Sequence, residues 1–478
     1  MLNRDIEQFI KRYLKEIEED NAAIFAGAGL SAPAGFVNWK ELLRPLVDEL
    51  GLDIDKEQDL VSLAQYHHNE NGRHQINQQL INELSSNKAP TESHRILAKL
   101  PISTYWTTNY DRLIEDALRE KGKIADAKYT NSHLATTRSR RDAVVYKMHG
   151  DIEHPDQAVL TKDDYEKYTI EFAPFVNALS GDLVSKTFLF LGFSFTDPNL
   201  DYILSRIRIY FKENQRQHYC IFKSCNFGEF ETDAEYQHAS TKQKLVISDL
   251  RRFNIKVLLV EEYAEIPAIL QSIERAFSRR TVFISGSASN FGKWAQIDTE
   301  SALSSLSGAL IDQGYKIATG VGLGIGNAVI SGAISEIYRK CDRHIEDSII
   351  MRPFPQFIEN KDEREATWEQ YRKELIGNAG IALFIMGNKV VDGEVVNADG
   401  VRKEFEIAKE SGLALIPVGG SEYMSRELWN EIRTNFEAYF PEESDELVNA
   451  FDGLGATFEK PQEMISAVID FLNLLSKE

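Results

Sequence analysis

The chain has 478 residues, beyond the ~250–300 at which a single hydrophobic core stops growing, so two domains are expected. Apolar residues make up 43% and charged residues 27%, ordinary for a soluble globular protein, and no apolar run approaches the ~20 residues of a membrane span; a membrane is not an expected partner. With 54 basic against 74 acidic residues the net charge is −20, which repels phosphate backbones and argues against nucleic acid; the basic run RSRR (138–141) reads as a solvated loop.

The first twenty residues carry helical spacing at Ile6, Phe9, Ile10, Leu14 and Ile17 with acidic residues throughout, unlike a signal peptide, and a cytoplasmic location is expected. A strand, AAIFAGAG (22–29), follows, then helical periodicity over 37–50 and 58–68. Short buried strands are expected at TYWTTN (104–109), AVVYKMHG (143–150), TFLFLGFS (187–194), HYCIF (218–222) and NIKVLLVE (254–261). The polar stretch 223–245 reads as a surface insertion with a helix at its end. A helix over 265–277 closes this part, and a boundary is expected near 278–280. The pattern then restarts with strands TVFISGSAS (281–289), YKIATG (315–320), SIIMRPFP (348–355), GIALFIMG (380–387) and ALIPVG (414–419), interleaved with helices over 298–313, 327–339, 364–377 and 400–411. Strands alternating with helices predict an α/β protein of two doubly wound, Rossmann-like domains, 1–278 and 281–478, with sites at the carboxyl ends of their strands. The three cysteines, Cys220, Cys225 and Cys341, cannot make a four-cysteine zinc site, and no metal is expected.

Three strand ends of the first part carry candidate chemistry. The turn Ala26-Gly27-Ala28-Gly29-Leu30-Ser31 has glycines that let backbone approach a pyrophosphate. Asn109-Tyr110-Asp111 and His149-Gly150 sit past two further strands, and a histidine suits proton transfer near neutral pH. Together, in this order, they resemble the sirtuin family over roughly residues 1–275, and Gly192 and Ser194 in GFSFTDPN resemble its later loop near the adenosine. The resemblance implies NAD as substrate, bound by Ala26, Gly27, Ala28, Gly29, Ser31, Asp111, Gly192 and Ser194. Asn109 is then expected to orient the ribose or the attacking water, and His149 to act as general base or as partner of the ribose hydroxyls. The zinc module of protein-deacylating sirtuins is absent, and VNW (37–39) replaces their Asp-Phe-Arg segment. Water is the simplest acceptor, and hydrolysis to ADP-ribose and nicotinamide the simplest reaction. A zinc-free ADP-ribosyltransferase or deacylase, and a non-catalytic nucleotide-binding regulator, are the alternatives.

The second part carries SGSAS (285–289) and TGVGLGIG (319–326), whose four glycines in seven residues imply that something comes close to the main chain. With MRPFP (351–355) and DGVRKEFEIA (399–408), these turns resemble the SLOG superfamily of nucleotide sensors over about 281–475. Gly400, Val401 and Glu404 keep the G-x-x-x-E frame of its hydrolytic members, but VNA replaces their Pro-Gly-Gly lead-in, so binding rather than catalysis is expected there. A sirtuin-like domain ahead of a SLOG domain resembles the bacterial antiphage Thoeris effectors. That resemblance implies activation by a cyclic ADP-ribose isomer made by a TIR-domain partner protein, with Gly286, Ser287, Gly322, Leu323, Gly324, Arg372, Lys389 and Glu404 as signal-binding residues. It also implies a homo-oligomer, a tetramer or larger.

Overall fold

The structure is a computed structural model that describes residues 3–57, 59–84, 88–340, 344–355, 358–441 and 444–476. The chain divides into two compact units, Met1–Glu274 and Arg275–Glu478; the division falls inside the helix Ile266–Ser278. Cys341 lies outside the described residues. Cys220 is buried and Cys225 half-buried, both as free thiols, and burial pushes the Cys220 thiol well up, leaving it inert.

The first unit is built on seven parallel strands: β1 (Ala22–Ala26), β2 (Thr104–Thr107), β3 (Ala125–Lys128), β4 (Ala143–Lys147), β5 (Thr187–Leu191), β6 (His218–Lys223) and β7 (Ile255–Val260). Their spatial order is β3-β4-β2-β1-β5-β6-β7. Strands β1, β2 and β5 are buried along their whole length, as a parallel sheet covered on both faces requires. The chain leaves β1 toward β2 on one side and returns to β5 on the other, so the topological switch point lies between β1 and β5. The N-terminal helix Arg4–Glu18, capped by Asn3, buries Ile6, Phe9, Tyr13, Leu14 and Ile17, and the Tyr13 hydroxyl donates to the Ala23 carbonyl at 2.8 Å, pinning the helix to β1. Helices Trp39–Glu49, Leu60–Asn71 and Arg73–Leu84, inserted between β1 and β2, gather Leu42, Leu46, Leu63, Ile76 and Leu80 into a core of their own that also takes in Leu160.

Several elements go beyond the sequence reading or differ from it in extent, among them a short strand and a long helix. Strand β3 pairs only with β4, and its Ala-Asp-Ala-Lys composition lacks an apolar strand signal. The expected helix at the end of the 223–245 insertion runs instead over Asp233–Leu250, started by a capping box in which Thr232 and Glu235 each accept from the other's backbone N–H.

The second unit has a five-stranded parallel sheet of β8 (Thr281–Ser287), β9 (Lys316–Thr319), β10 (Ile349–Met351), β11 (Ile381–Met386) and β14 (Ala414–Pro417), in the order β10-β9-β8-β11-β14. Its switch point lies between β8 and β11. Helices Gln296–Asp312 and Gly326–Lys340 pack so closely that a Cβ on Gly332 would stand 1.9 Å from the Ser304 carbonyl oxygen. Between β11 and the helix Asp399–Glu410 lies a hairpin, β12 (Asn388–Val391) and β13 (Glu394–Asn397), turned by Asp392 and Gly393, both at positive φ as a type I′ turn demands. Helices Tyr423–Thr434, Asp445–Leu454 and Glu463–Leu475 complete the unit around Phe436, Phe440, Phe451 and Phe471.

His218 on β6 is fully buried, and its Nδ1 accepts from the Phe188 N–H on β5 at 3.1 Å, a role open only to the neutral ring. Burial, helped by the nearby Arg216, pushes its pKa down to about 3. An exposed histidine titrates near 6.5, so the unfolded chain takes up this proton first. The stabilisation is whole above pH 6.5 and fades as pH falls toward 3, on the order of 2 kcal/mol lost by pH 5. Urea melts at pH 7 and pH 5 should show that loss, and His218→Asn should flatten it.

Candidate functional site

The turns following β1 and β5 interlock. Gly27 N–H donates to the Leu191 carbonyl and Gly29 N–H to the Gly192 carbonyl, both at 2.9 Å. Gly192 sits at φ +62°, and a Cβ there would stand 2.2 Å from Leu30 N; one on Gly27 would stand 2.4 Å from the Gly192 oxygen. What approaches these glycines is therefore the neighbouring turn, and the amides of Gly27 and Gly29 are committed to it. Phe193 and Phe195 anchor the loop after β5 against Phe190, while Ser194, exposed, meets only Thr196, Oγ to Oγ1 at 2.8 Å.

Asn109 hangs from β2 directly over the β1 turn. Its amide nitrogen donates to the Gly27 carbonyl and to Ser31 Oγ, both at 3.0 Å, and its backbone N–H donates to Thr107 Oγ1, whose hydroxyl in turn donates to the Ala26 carbonyl. Asn109, Ser31, Ala26 and Gly27 thus form one buried cluster. Both amide hydrogens of Asn109 are engaged, and Oδ1, an acceptor, has no hydrogen-bond partner among the described residues. Asp111 plays a local part: its Oδ1 accepts from the Leu113 N–H at the start of the helix Leu113–Glu120.

His149, past the end of β4, is buried with its Nε2 3.1 Å from Asp197 Oδ2, close but not aligned as a hydrogen bond. Asp197 also caps the helix Pro198–Phe211, its Oδ1 accepting from Leu200 N–H at 2.9 Å. Burial pushes the Asp197 carboxyl up, but His149 and the backbone N–H groups of Leu200 and Asn199 outweigh it and hold the group below its ordinary value. Tyr165 and Tyr168 stand edge-on to the imidazole, and the Tyr165 hydroxyl lies 3.4 Å from Asp197 Oδ2. Besides His149 Nε2, three buried polar groups in this neighbourhood have no hydrogen-bond partner among the described residues: the Tyr168 hydroxyl, Asn199 Nδ2 and the Nε1 of Trp39, whose ring packs on Tyr165. Each such group costs about 1–3 kcal/mol unless a ligand or water supplies the missing partner.

In the second unit the same interlock recurs. A Cβ on Gly322 would stand 2.0 Å from the Gly286 oxygen, one on Gly324 2.1 Å from the Ala288 oxygen, and one on Gly286 2.3 Å from the Ile385 oxygen. Leu323, between two of these glycines, is 72% exposed. Glu404 is buried: Ser285 Oγ donates to its Oε2 at 2.5 Å and Arg372 Nε to its Oε1 at 3.4 Å. Burial raises the Glu404 carboxyl above the usual carboxylate range despite these partners. The Arg372 guanidinium lies over Phe354, 4.8 Å from the ring centre, and over Trp368. Lys389 on β12 is half-exposed and pairs at 2.6 Å with Asp399, which opens the helix carrying Glu404. Ser287 Oγ donates to the Asn388 carbonyl.

Two polar anchors escape a reading by motif. Asp197 looks like a helix cap before proline, and it is one; its second oxygen is what meets His149. Asn388, fully buried beside the predicted Lys389, accepts from Ser289 and Asn290 N–H at 2.9 Å and donates to the Asn290 carbonyl, so it shapes the SGSAS turn.

Two family models match the chain, a SIR2-like domain over residues 103–246 and the Sir2- and TIR-associating SLOG family over residues 265–475. A SIR2-like sheet with a polar site at its switch point, followed by a SLOG domain, defines the class. The chain is 55% identical to NAD(+) hydrolase ThsA of Acinetobacter baumannii (strain 532279), over 99% of this chain and all of that one. It is 49% identical to NAD(+) hydrolase ThsA of Bacillus cereus (strain MSX-D12), over 99% of each. A more distant relative, Defense-associated sirtuin 2 of Bacillus subtilis, is 26% identical over 44% of this chain and 21% of its own length. The chain belongs to the ThsA family of NAD(+) hydrolases.

The interlock yields a contrast within one unit. Gly192→Ala should lower stability by about 3 kcal/mol, because neither backbone can yield. Gly181→Ala, in the helix Ala173–Ser185 with open space around it, should raise stability by about 0.5–1 kcal/mol. Urea unfolding of the two variants checks both signs.

Proposed function

We propose that the chain hydrolyses NAD to nicotinamide and ADP-ribose at the Asn109 and His149 site. The observation that carries this reading is the pairing, at neighbouring strand ends, of an asparagine with a free acceptor oxygen and a buried histidine beside a carboxylate. Its support is twofold: four relatives at 43–55% identity bear the name NAD(+) hydrolase, and buried polar atoms near His149 lack partners among the described residues. The bond that breaks joins the nicotinamide nitrogen to ribose C1′. Its electron pair leaves with nicotinamide, neutralising that ring, and C1′ passes through an oxocarbenium-like state. Water supplies the new C1′–O bond and releases one proton.

Each residue has a part in that balance. Asn109 Oδ1 accepts from the attacking water or a ribose hydroxyl and so fixes the line of approach. His149 takes the proton that water sheds. Asp197, a buried negative charge beside it, favours the imidazolium that results and holds the ring in place. The Asn109 tether to Gly27 and Ser31 keeps the amide from turning away. Ala26, Gly27, Ala28, Gly29, Ser31, Asp111, Gly192 and Ser194 then frame the nucleotide, with the interlocked glycines setting the floor.

In the second unit, Arg372, Lys389 and Glu404, with Gly286, Ser287, Gly322, Leu323 and Gly324, form the pocket for an activating nucleotide, a cyclic ADP-ribose isomer supplied by a TIR-domain protein. Arg372, whose guanidinium lies over Phe354 and Trp368, is suited to fork onto a phosphate. Glu404 is suited to meet ribose hydroxyls or adenine. The protein acts in the cytoplasm as a homo-oligomer, a tetramer or larger, depleting NAD as an antiphage defence.

Nicotinamide release from NAD, followed by chromatography with and without a cyclic ADP-ribose isomer, tests this. Asn109→Ala and His149→Ala should each lower turnover at least ~10²-fold while leaving thermal melts near those of the wild type. No release under any nucleotide condition would sink the proposal. Arg372→Ala should abolish the response to the cyclic nucleotide; a response of unchanged midpoint would remove the signal pocket from the reading.

A further inference from the structure

The turns that carry Asn109 and His149 are laced together, and the knot is a lysine. Lys147, the last residue of β4, is fully buried, two residues before His149. Its ammonium donates to the Asp111 carbonyl at 2.6 Å, the Tyr110 carbonyl at 3.1 Å and Asp151 Oδ2 at 2.5 Å, and lies 3.4 Å from Glu115 Oε1. An ammonium has three donors; two of these contacts reach the turn that holds Asn109, and the third reaches the carboxylate two residues beyond His149. Backbone bonds follow the same route: Ile152 N–H donates to the Tyr110 carbonyl at 3.1 Å and Val159 N–H to the His149 carbonyl at 2.9 Å, while the Tyr110 hydroxyl donates to the Val159 carbonyl at 2.8 Å. Burial alone would strip the Lys147 proton, but the carboxylates of Glu115, Asp151 and Asp111 hold the group charged.

A buried ammonium is costly unless its charge is offset and its three donors are met; Asp151 and Glu115 offset the charge, and any acceptors would meet the other two donors. The two carbonyl contacts go further, since they fix two successive peptides, Tyr110–Asp111 and Asp111–Arg112, on either side of Asp111 and one residue beyond Asn109. We propose that Lys147 is a positioning residue for NAD hydrolysis, which sets the Asn109 turn relative to the His149 turn by holding both at one point. This rests on the catalytic reading of Asn109 and His149 given above. A methionine in its place fills the same space but joins nothing, and a misplacement of about 1 Å between two groups that act together costs on the order of 10²-fold in rate.

The test is steady-state NAD hydrolysis by full-length Lys147→Met, with a cyclic ADP-ribose isomer present and rates expressed per folded molecule. Because Lys147→Met leaves carboxylates without their cation, Lys147→Met/Glu115→Gln is measured beside it as a variant with less unpaired charge. The expected result is a kcat at least ~10-fold below wild type with KM for NAD within ~3-fold, a split that loss of stability alone does not produce. A kcat within ~3-fold of wild type in either folded variant overturns the proposal, as does a rise in KM with kcat intact. Asn109→Ala in the same assay separates the two claims. Its inactivity alongside full kcat in the lysine variants removes the positioning role alone, whereas its retained activity removes the catalytic reading and the positioning role together.

Discussion

Everything at the candidate catalytic site hangs on one contact, the approach of the turn after β1 to the turn after β5. With a Cβ on Gly192 only 2.2 Å from Leu30 N, the two backbones are closer than any side chain allows. The hydrogen bonds from Gly27 and Gly29 to Leu191 and Gly192 continue the ladder of the sheet past its formal end. The switch point of a doubly wound sheet is usually a crevice where strands part company. Here the crevice has a stitched floor, and Asn109 is tied to that floor through Gly27 and Ser31.

The second unit repeats the device with different residues. Gly286, Gly322 and Gly324 lie against the backbone of neighbouring turns, and Asn388 fixes the turn after β8 from the side. The two sites differ in what they hold above that floor. The first presents an acceptor amide and an imidazole beside a carboxylate, which is equipment for moving a proton. The second presents a guanidinium over an aromatic ring beside a buried carboxyl, which in the proposed reading serves recognition.

Much of this was legible in the chain. Apolar runs ending in glycine, asparagine or histidine marked the carboxyl ends of β1, β2, β4 and β5, since a buried parallel strand and its polar end are both local signals. The glycines were legible as sites of close approach but not as to what approaches, because residue 192 is invisible from residue 27 until the sheet is built. Asp197 reads as a cap before proline, and only the fold brings its other oxygen to His149. Lys147 left a trace: in β4 the buried positions are Ala143, Val145 and Lys147, so a lysine stands in an inward register. The Asp-Gly turn between two valine-rich stretches likewise signals the β12–β13 hairpin. Strand β3 gave no such sign, being four residues of mixed polarity held by one neighbour.

The double attachment of Asp197 joins two properties usually kept apart. One oxygen caps a fourteen-residue helix and the other faces the histidine, so the carboxylate belongs at once to the scaffold and, in the proposed mechanism, to the site's chemistry. In the proposed mechanism a positive charge on His149 would be felt at the head of that helix, where exposed amides favour a full negative charge. Selection for a different working pH at this position would therefore also be selection on helix integrity. Drift in the site's acidity is restrained by a residue that the fold already needs for another purpose.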